Sequence, residues 1–152
     1  MSIGEELDPI DKELIKILQD NADLTYTEIG KLLNLSPSTV YMRVRRLKDK
    51  GLIRRIVAEV DPAKLGYRLK ALIFIDMDVK KYSKVVEGIK ELPQVKVIYD
   101  VTGEWALVLE VLVKDHKELS ELLDKIGGID GVYSTSTMVI LRTIKEDRKI
   151  YP

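Results

Sequence analysis

The chain has 152 residues, with 25 basic and 25 acidic side chains, one histidine and no cysteine. That length holds one compact domain or two small ones. The lack of cysteine excludes disulfides, a thiolate nucleophile and cysteine metal sites, and no apolar run approaches the roughly 20 residues of a membrane helix. The acidic opening M-S-I-G-E-E-L-D lacks the basic-then-apolar pattern of a signal peptide, which points to the cytoplasm. The high charged fraction fits a thermophilic source.

The zero net charge conceals a separation. Residues 1–30 hold eight acids against two bases, a local charge of −6, whereas residues 31–57 hold eight bases against one acid, a local charge of +7. A basic patch on a neutral molecule is the electrostatic footprint of phosphate-backbone binding.

In chain order, residues 1–7 read as a loose arm. Asp8 is placed to cap a helix, with Pro9 at its first position and Asp11 and Glu13 at its positive end. Ile10, Leu14, Ile17 and Leu18 form its apolar stripe, which ends near Asn21. This helix offers almost nothing to DNA; its stripe covers the two helices that follow. Thr25 and Glu28 have capping-box spacing. Ile29, Leu32 and Leu33 give the second helix an apolar face, and Asn34 suits the left-handed stop. Ser36 and Pro37 then start a third helix. Its Val40, Val44 and Leu47 face inward, leaving Ser38, Thr39, Tyr41, Met42, Arg43, Arg45, Arg46 and Lys48 outward.

Two short helices joined tightly, the second basic, read as a helix-turn-helix. An ordinary helical hairpin with a solvated basic face is the alternative, and the charge separation favours DNA. The candidate contacts are Thr25, Thr27, Ser36, Ser38, Thr39, Tyr41, Met42, Arg43, Arg45, Arg46 and Lys48. The N-terminal half, from Ser38 to Arg43, enters the groove deepest. The cations divide between bases and phosphates, and Thr25 and Thr27 sit at a helix start suited to phosphate.

Gly51 ends the third helix. Leu52 to Val60 is β-rich and reads as a wing strand, a connector or both. Asp61-Pro62 breaks it, and Gly66 marks a turn. The expected boundaries are a helix-turn-helix domain over 1–60, a linker over 61–66 and a second domain over 67–152. In the second domain Leu69, Ala71, Ile73, Ile75, Met77 and Val79 alternate along a strand. Tyr82 to Leu92 is helical, with Pro93 as its stop. Val95 to Val101 and Trp105 to Val113 are strands joined by a tight turn at Thr102-Gly103-Glu104. Asp115 and Glu118 start a helix that ends at Gly127-Gly128, and Val132 to Arg142 is the last strand. The order β-α-β-β-α-β predicts a ferredoxin-like sandwich, so the chain is α+β. Two helices cover one sheet face, while the first and third strands are apolar on both sides. A second copy is the simplest cover, which predicts a homodimer.

No catalytic constellation is present, so no enzyme is expected. His116 follows a helix cap without a serine or cysteine partner. Asp76 and Asp78 read as an exposed strand end rather than metal ligands, no glycine-rich phosphate loop occurs, and no cofactor is expected.

The segments L-D-P-I-D-K-E-L-I-K-I-L-Q-D-N-A at 7–22, S-P-S-T-V-Y-M-R-V-R-R-L-K-D-K-G-L-I-R at 36–54, D-P-A-K-L-G-Y at 61–67, V-T-G-E-W-A-L-V-L at 101–109 and I-G-G-I-D-G-V-Y-S-T-S-T at 126–137 together resemble the Lrp/AsnC, or feast/famine, transcription regulators. The resemblance implies a DNA-binding domain followed by a RAM/ACT-like domain. It also implies dimers that assemble further, often to octamers, and an amino-acid effector bound where dimers meet. The turn after the second strand contributes to that pocket with a pattern like T-G-D-x-D. Here Thr102-Gly103-Glu104-Trp105-Ala106 keeps the first acid and replaces the second with Ala106.

An amino acid needs backbone amides for its carboxylate and an acceptor for its ammonium. Gly103 permits close backbone approach, Glu104 or Asp124 can accept from the ammonium, and Thr135, Ser136 and Thr137 offer hydroxyls. With Trp105 and Ala106 these are the candidate effector residues, and Ala106 leaves room for an uncharged side chain. In the alternative the site is empty, and Trp105 and Ala106 pack between dimers. Two other readings stand beside the regulator: a tetrapyrrole enzyme like the sirohaem decarboxylases, which the lone histidine disfavours, and an amino-acid-sensing subunit without DNA, which the basic stretch disfavours.

Overall fold

The computed structural model describes residues 7–152. It divides into two compact units, residues 7–59 with Lys145–Pro152, and Val60–Ile144. The arm expected over 1–7 falls outside the described residues except for Leu7, which packs against the first core.

The first unit holds three helices, α1 (Pro9–Asp20), α2 (Tyr26–Leu33) and α3 (Pro37–Asp49). Each start is fixed by a side chain that satisfies an orphan amide. Asp8 accepts from the Asp11 amide at 2.7 Å, and Ser36 accepts from the Thr39 amide at 3.2 Å. Thr25 and Glu28 complete the capping box, with the Thr25 amide donating to Glu28 at 2.7 Å and the Glu28 amide donating to Thr25 at 3.2 Å. Asn34 ends α2 in the left-handed conformation at φ 56°. Leu14, Ile29, Val40, Val44 and Leu47 form the buried centre. Burying each large aliphatic side chain contributes roughly 1.5–3 kcal/mol, so short helices with caps worth about 1 kcal/mol each depend mainly on one another's apolar faces.

Three expectations for this unit are corrected or narrowed. Leu32 does not face the core; it is 64% exposed. At about 100° of rotation per residue, Ile29, Leu33 and Gly30 share the inward side of α2, and Leu32 lies roughly 110° from its centre. Of the readings of Leu52 to Val60, the connector is the one the structure has: residues 54–60 form no strand, and Ile56, Val57 and Val60 are exposed. A β-rich stretch becomes a strand only when another backbone satisfies its ladder.

The charged tail, expected with the second domain, belongs to the first unit. The Gln19 amide group pairs with its backbone as a strand edge would: Nε2 donates to the Ile150 carbonyl at 2.6 Å, and the Ile150 amide donates to Oε1 at 2.8 Å. Asp20 accepts from Lys149 Nζ at 2.8 Å and from the Tyr151 hydroxyl at 2.9 Å. These bonds lower the Asp20 pKa and raise those of Lys149 and Tyr151.

The second unit contains β1 (Leu69–Met77), α4 (Tyr82–Lys90), β2 (Val95–Asp100), β3 (Leu107–Val113), α5 (His116–Gly127) and β4 (Val132–Val139). The residues at 61–66, expected as a linker, include a single 3-10 turn, Pro62–Leu65, closed by Gly66. The strands form one antiparallel sheet in the order β2-β3-β1-β4, as two interleaved βαβ halves require. Ala71, Ile73, Ile75, Leu107, Leu109 and Val111 join Val85 and Ile89 of α4 and Leu122 and Ile126 of α5 in one core. The opposite face carries Leu72, Phe74, Val108 and Leu112, half-buried, and Met138, which is exposed. Lys70 and Glu110 meet on that face at 3.4 Å.

Candidate functional site

The outer face of α3 is built from the caps upward. Ser36 Oγ lies 3.1 Å from Ser38 Oγ and 2.7 Å from Thr39 Oγ1, so three hydroxyls cluster over the first turn. Tyr41 stands one turn on, its ring edge-on to Tyr26 of α2 at 5.9 Å between centroids. Met42 is 60% exposed, and Arg45, Arg46 and Lys48 follow toward the C-terminus, all exposed. Ser38, Tyr41, Met42 and Arg45 recur at three and four residues and share one side of the helix. Thr25 and Thr27 are exposed at the start of α2. The Thr25 hydroxyl is also engaged within the capping box, donating to Glu28 Oε2 at 2.8 Å.

Arg43 departs from its expected outward position. Its side chain is only 21% exposed and turns toward α1, where Nη1 reaches Asp8 Oδ2 at 2.6 Å and Asp11 Oδ1 at 2.8 Å. The same Asp11 carboxylate takes Arg46 on its other oxygen at 2.5 Å. Asp11 is 3% exposed. Hydrogen bonds to Asp8 and then Asp11 hold Arg43 above its ordinary pKa, and Arg43 pulls Asp8 below the usual carboxylate range. Arg43 Nη1 is held by two carboxylates, one of them on the buried Asp11, which would be left short of a partner if Arg43 turned away; in this geometry Arg43 ties α3 to α1.

Two participants escaped the sequence pattern. By sequence Asp11 is a dipole-favouring acid in a first helical turn, and Tyr26 is the first residue after a cap. The signal for Asp11 is an acid on the same helix side as Leu14, a position that buries a charge only when a cation is supplied.

In the second unit, the turn from Thr102 to Ala106 joins β2 to β3. Gly103 adopts φ +118°, where side chains are strained, and has open space beside it. Glu104 is exposed, and Trp105 packs against Phe74 at 6.0 Å between centroids. The Ala106 amide donates to the Ile75 carbonyl at 2.9 Å, and its carbonyl accepts from Val101, so the turn is pinned to the end of β1 on one side and of β2 on the other. The candidate hydroxyls divide between faces. Ser136 pairs with Phe74, on the open side with Trp105, whereas Thr135 and Thr137 pair with Ile75 and Ile73, on the helix side. Asp124 lies exposed near the end of α5. The eight candidates therefore do not line one cavity within the single chain.

No group of three or more His, Cys, Asp or Glu residues is placed to hold a metal among the described residues, and no described helix is long and apolar enough to cross a membrane.

A capped helix-turn-helix followed by an antiparallel βαββαβ domain defines a two-part DNA-binding regulator. Comparison with known proteins gives the same answer for both parts. Residues 7–54 match winged helix-turn-helix DNA-binding domains, and residues 70–150 match the Lrp/AsnC ligand binding domain. The chain belongs to the Lrp/AsnC family of transcription regulators. It is 38% identical over 144 residues to the HTH-type transcriptional regulator FL11 of Pyrococcus horikoshii, covering 95% of each chain, and 37% identical to the Pyrococcus furiosus protein of that name over the same share. Among solved structures, AsnC of E. coli superposes with a TM-score of 0.89 at 30% identity, covering 96% of this chain and 99% of that one. A transcriptional regulator from Neisseria meningitidis in complex with L-Met gives 0.89 at 26% identity, covering 95% and 96%. These relatives are regulators, not enzymes, and the tetrapyrrole-enzyme alternative falls with them.

Proposed function

We propose that this chain is a cytoplasmic, sequence-specific regulator that binds double-stranded DNA as a homodimer or a higher assembly up to an octamer, and whose second domain senses a neutral amino acid. The observation that carries the DNA reading is the exposed side of α3. Ser38, Thr39, Tyr41 and Met42 reach base edges from the N-terminal half, while Arg45, Arg46 and Lys48 meet phosphates. Ser36, Thr25 and Thr27 lie at helix starts, where amides favour phosphate.

Assembly is supported by the open face of the sheet, where Leu72, Phe74, Val108, Leu112 and Met138 surround the Lys70–Glu110 pair with apolar surface of the kind soluble proteins cover. Sensing is supported by the relative solved with L-Met and by the open space beside Gly103. Because Ser136 and the Thr135–Thr137 pair face opposite sides of the sheet, a site using all the candidates draws them from more than one subunit.

The test is fluorescence anisotropy on a duplex selected from a random pool by the native chain, titrated at several salt concentrations with and without each of the twenty amino acids. Binding should weaken linearly in log salt, and Arg45→Ala with Arg46→Ala should flatten the slope by about one unit for each phosphate left without its arginine. One neutral amino acid should shift the affinity, and Gly103→Val should abolish that shift. An unchanged slope in the double variant refutes the phosphate assignment. No response to any amino acid refutes the sensing role and leaves DNA binding standing.

A further inference from the structure

Arg43 is more enclosed than its neighbours Arg45 and Arg46, with a side chain 21% exposed against 63% and 48%. It sits in the middle of the recognition helix, where an arginine would be expected to read DNA. Both its contacts run the other way, through Nη1 to Asp8 at 2.6 Å and Asp11 at 2.8 Å. Asp11 is shared: its second oxygen holds Arg46, whose half-exposed side chain spans the distance from the buried carboxylate to the surface. Arg45 contacts the exposed Asp49 at 4.0 Å, a separation that fixes little.

We propose that Asp11 is a positioning residue of the DNA interface. It retires Arg43 from contact with DNA and holds Arg46 in one direction, as a single phosphate clamp. This rests on the DNA-binding reading above and deepens it by dividing the arginines. Two consequences follow from the chemistry. Asp8 and Asp11 together balance Arg43 and Arg46, but Arg43 must give up two carboxylate bonds to meet a phosphate while the half-exposed Arg46 already reaches the surface, so Arg43 contributes little to the salt slope. An arginine allowed to swing free would grip phosphates at any sequence, raising non-specific binding more than specific binding. The carboxylate in α1, a helix without DNA-facing groups of its own, thereby protects the reading done by Ser38, Thr39, Tyr41 and Met42.

The experiment compares the full native chain with Asp11→Asn, Asp8→Asn and Arg43→Met. Each is titrated in a salt series against the selected duplex and a random duplex, with circular dichroism to establish folding. Native binding to either duplex that rises as salt falls confirms the DNA reading on its own, and its absence refutes that reading whatever the variants do.

Given native binding, Asp11→Asn should steepen the salt slope by about 0.9 for each phosphate a released arginine gains, tighten binding to the random duplex and lower the selected-to-random ratio. Asp8→Asn, a change at a 42% exposed side chain to another good helix cap, should act in the same direction with a smaller change. Arg43→Met should leave slope and ratio as in the native chain while lowering the melting temperature. A purely structural role for Asp11 would lower stability without a steeper slope. A folded Asp11→Asn or Asp8→Asn with the native slope overturns the proposal, as does a folded Arg43→Met with a tenfold lower ratio or a slope flatter by one unit.

Discussion

Gly30 is where the helix-turn-helix is most sensitive to a single methyl group. It is buried in α2, and a Cβ there would stand 2.5 Å from the Leu35 carbonyl oxygen and 3.5 Å from its carbon. Ordinary contact begins near 3.4 Å, so the turn must retreat by about 0.9 Å. It cannot do so freely, because the Leu35 amide donates to the Gly30 carbonyl at 2.8 Å and α3 begins two residues later. Gly30→Ala gains about 1 kcal/mol in helix propensity. Against that stand an overpacking cost of about 1–3 kcal/mol and a strained turn hydrogen bond worth about 1 kcal/mol. The clash wins, for a net loss of about 1–3 kcal/mol. In a unit of this size each kcal/mol moves the midpoint by about 4–8 °C. Thermal denaturation followed by far-ultraviolet circular dichroism should show the helical transition lowered accordingly, and affinity for the selected duplex should fall because α3 tilts relative to α2. A variant melting at or above the native temperature would refute the reasoning.

Four further outcomes are expected. Leu122→Ala removes a side chain only 1% exposed and should cost about 2–5 kcal/mol, read by denaturant titration of the second unit through Trp105 fluorescence; a loss under about 1 kcal/mol would show that the site collapses around the hole. Leu72→Glu should sediment as a folded monomer, and the native chain should sediment as at least a dimer; an unchanged sedimentation coefficient removes the open sheet face from the assembly. Thr25→Ala should cost about 1 kcal/mol through loss of the capping box, measured by the same denaturation, and no change would mean the α2 start is held by packing alone. Asp130 is pulled from 3.8 to about 2 by hydrogen bonds from Lys81 and then Lys84. A depressed carboxylate stabilises above its unfolded pKa and stops doing so as pH falls through its folded one. The gap in melting temperature between the native chain and Asp130→Asn should therefore be present at neutral pH and shrink between about pH 4 and pH 2; a constant gap excludes the ion pairs as its source.

Elements whose causes are local were legible in the chain alone. The starts of α2, α3 and α5 follow from Thr25 with Glu28, Ser36 with Pro37 and Asp115 with Glu118, all pairs within three residues of each other. The alternation of Leu69 to Met77 fixed which side of β1 is buried, and the βαββαβ order left few ways to build the sheet. The separation of charge marks α3 as the basic helix.

Tertiary structure decided everything that depends on residues far apart in the chain. Arg43 faces Asp8 and Asp11, 35 and 32 residues away, so helical phase alone could not tell an outward arginine from one folded back. Leu32 is exposed because the core lies over Gly30 and Leu33, a choice made by where α1 and α3 pack. The tail meets Gln19 across 131 residues. The stretch after Leu52 has the composition of a strand but pairs with no other strand of the described chain, while strand 132–139 places Ser136 opposite Phe74 and Thr135 opposite Ile75. Periodicity records which residues share a side; which neighbour occupies that side is settled only when the chain closes on itself, because burial and ion pairing belong to the pair of surfaces and not to either one.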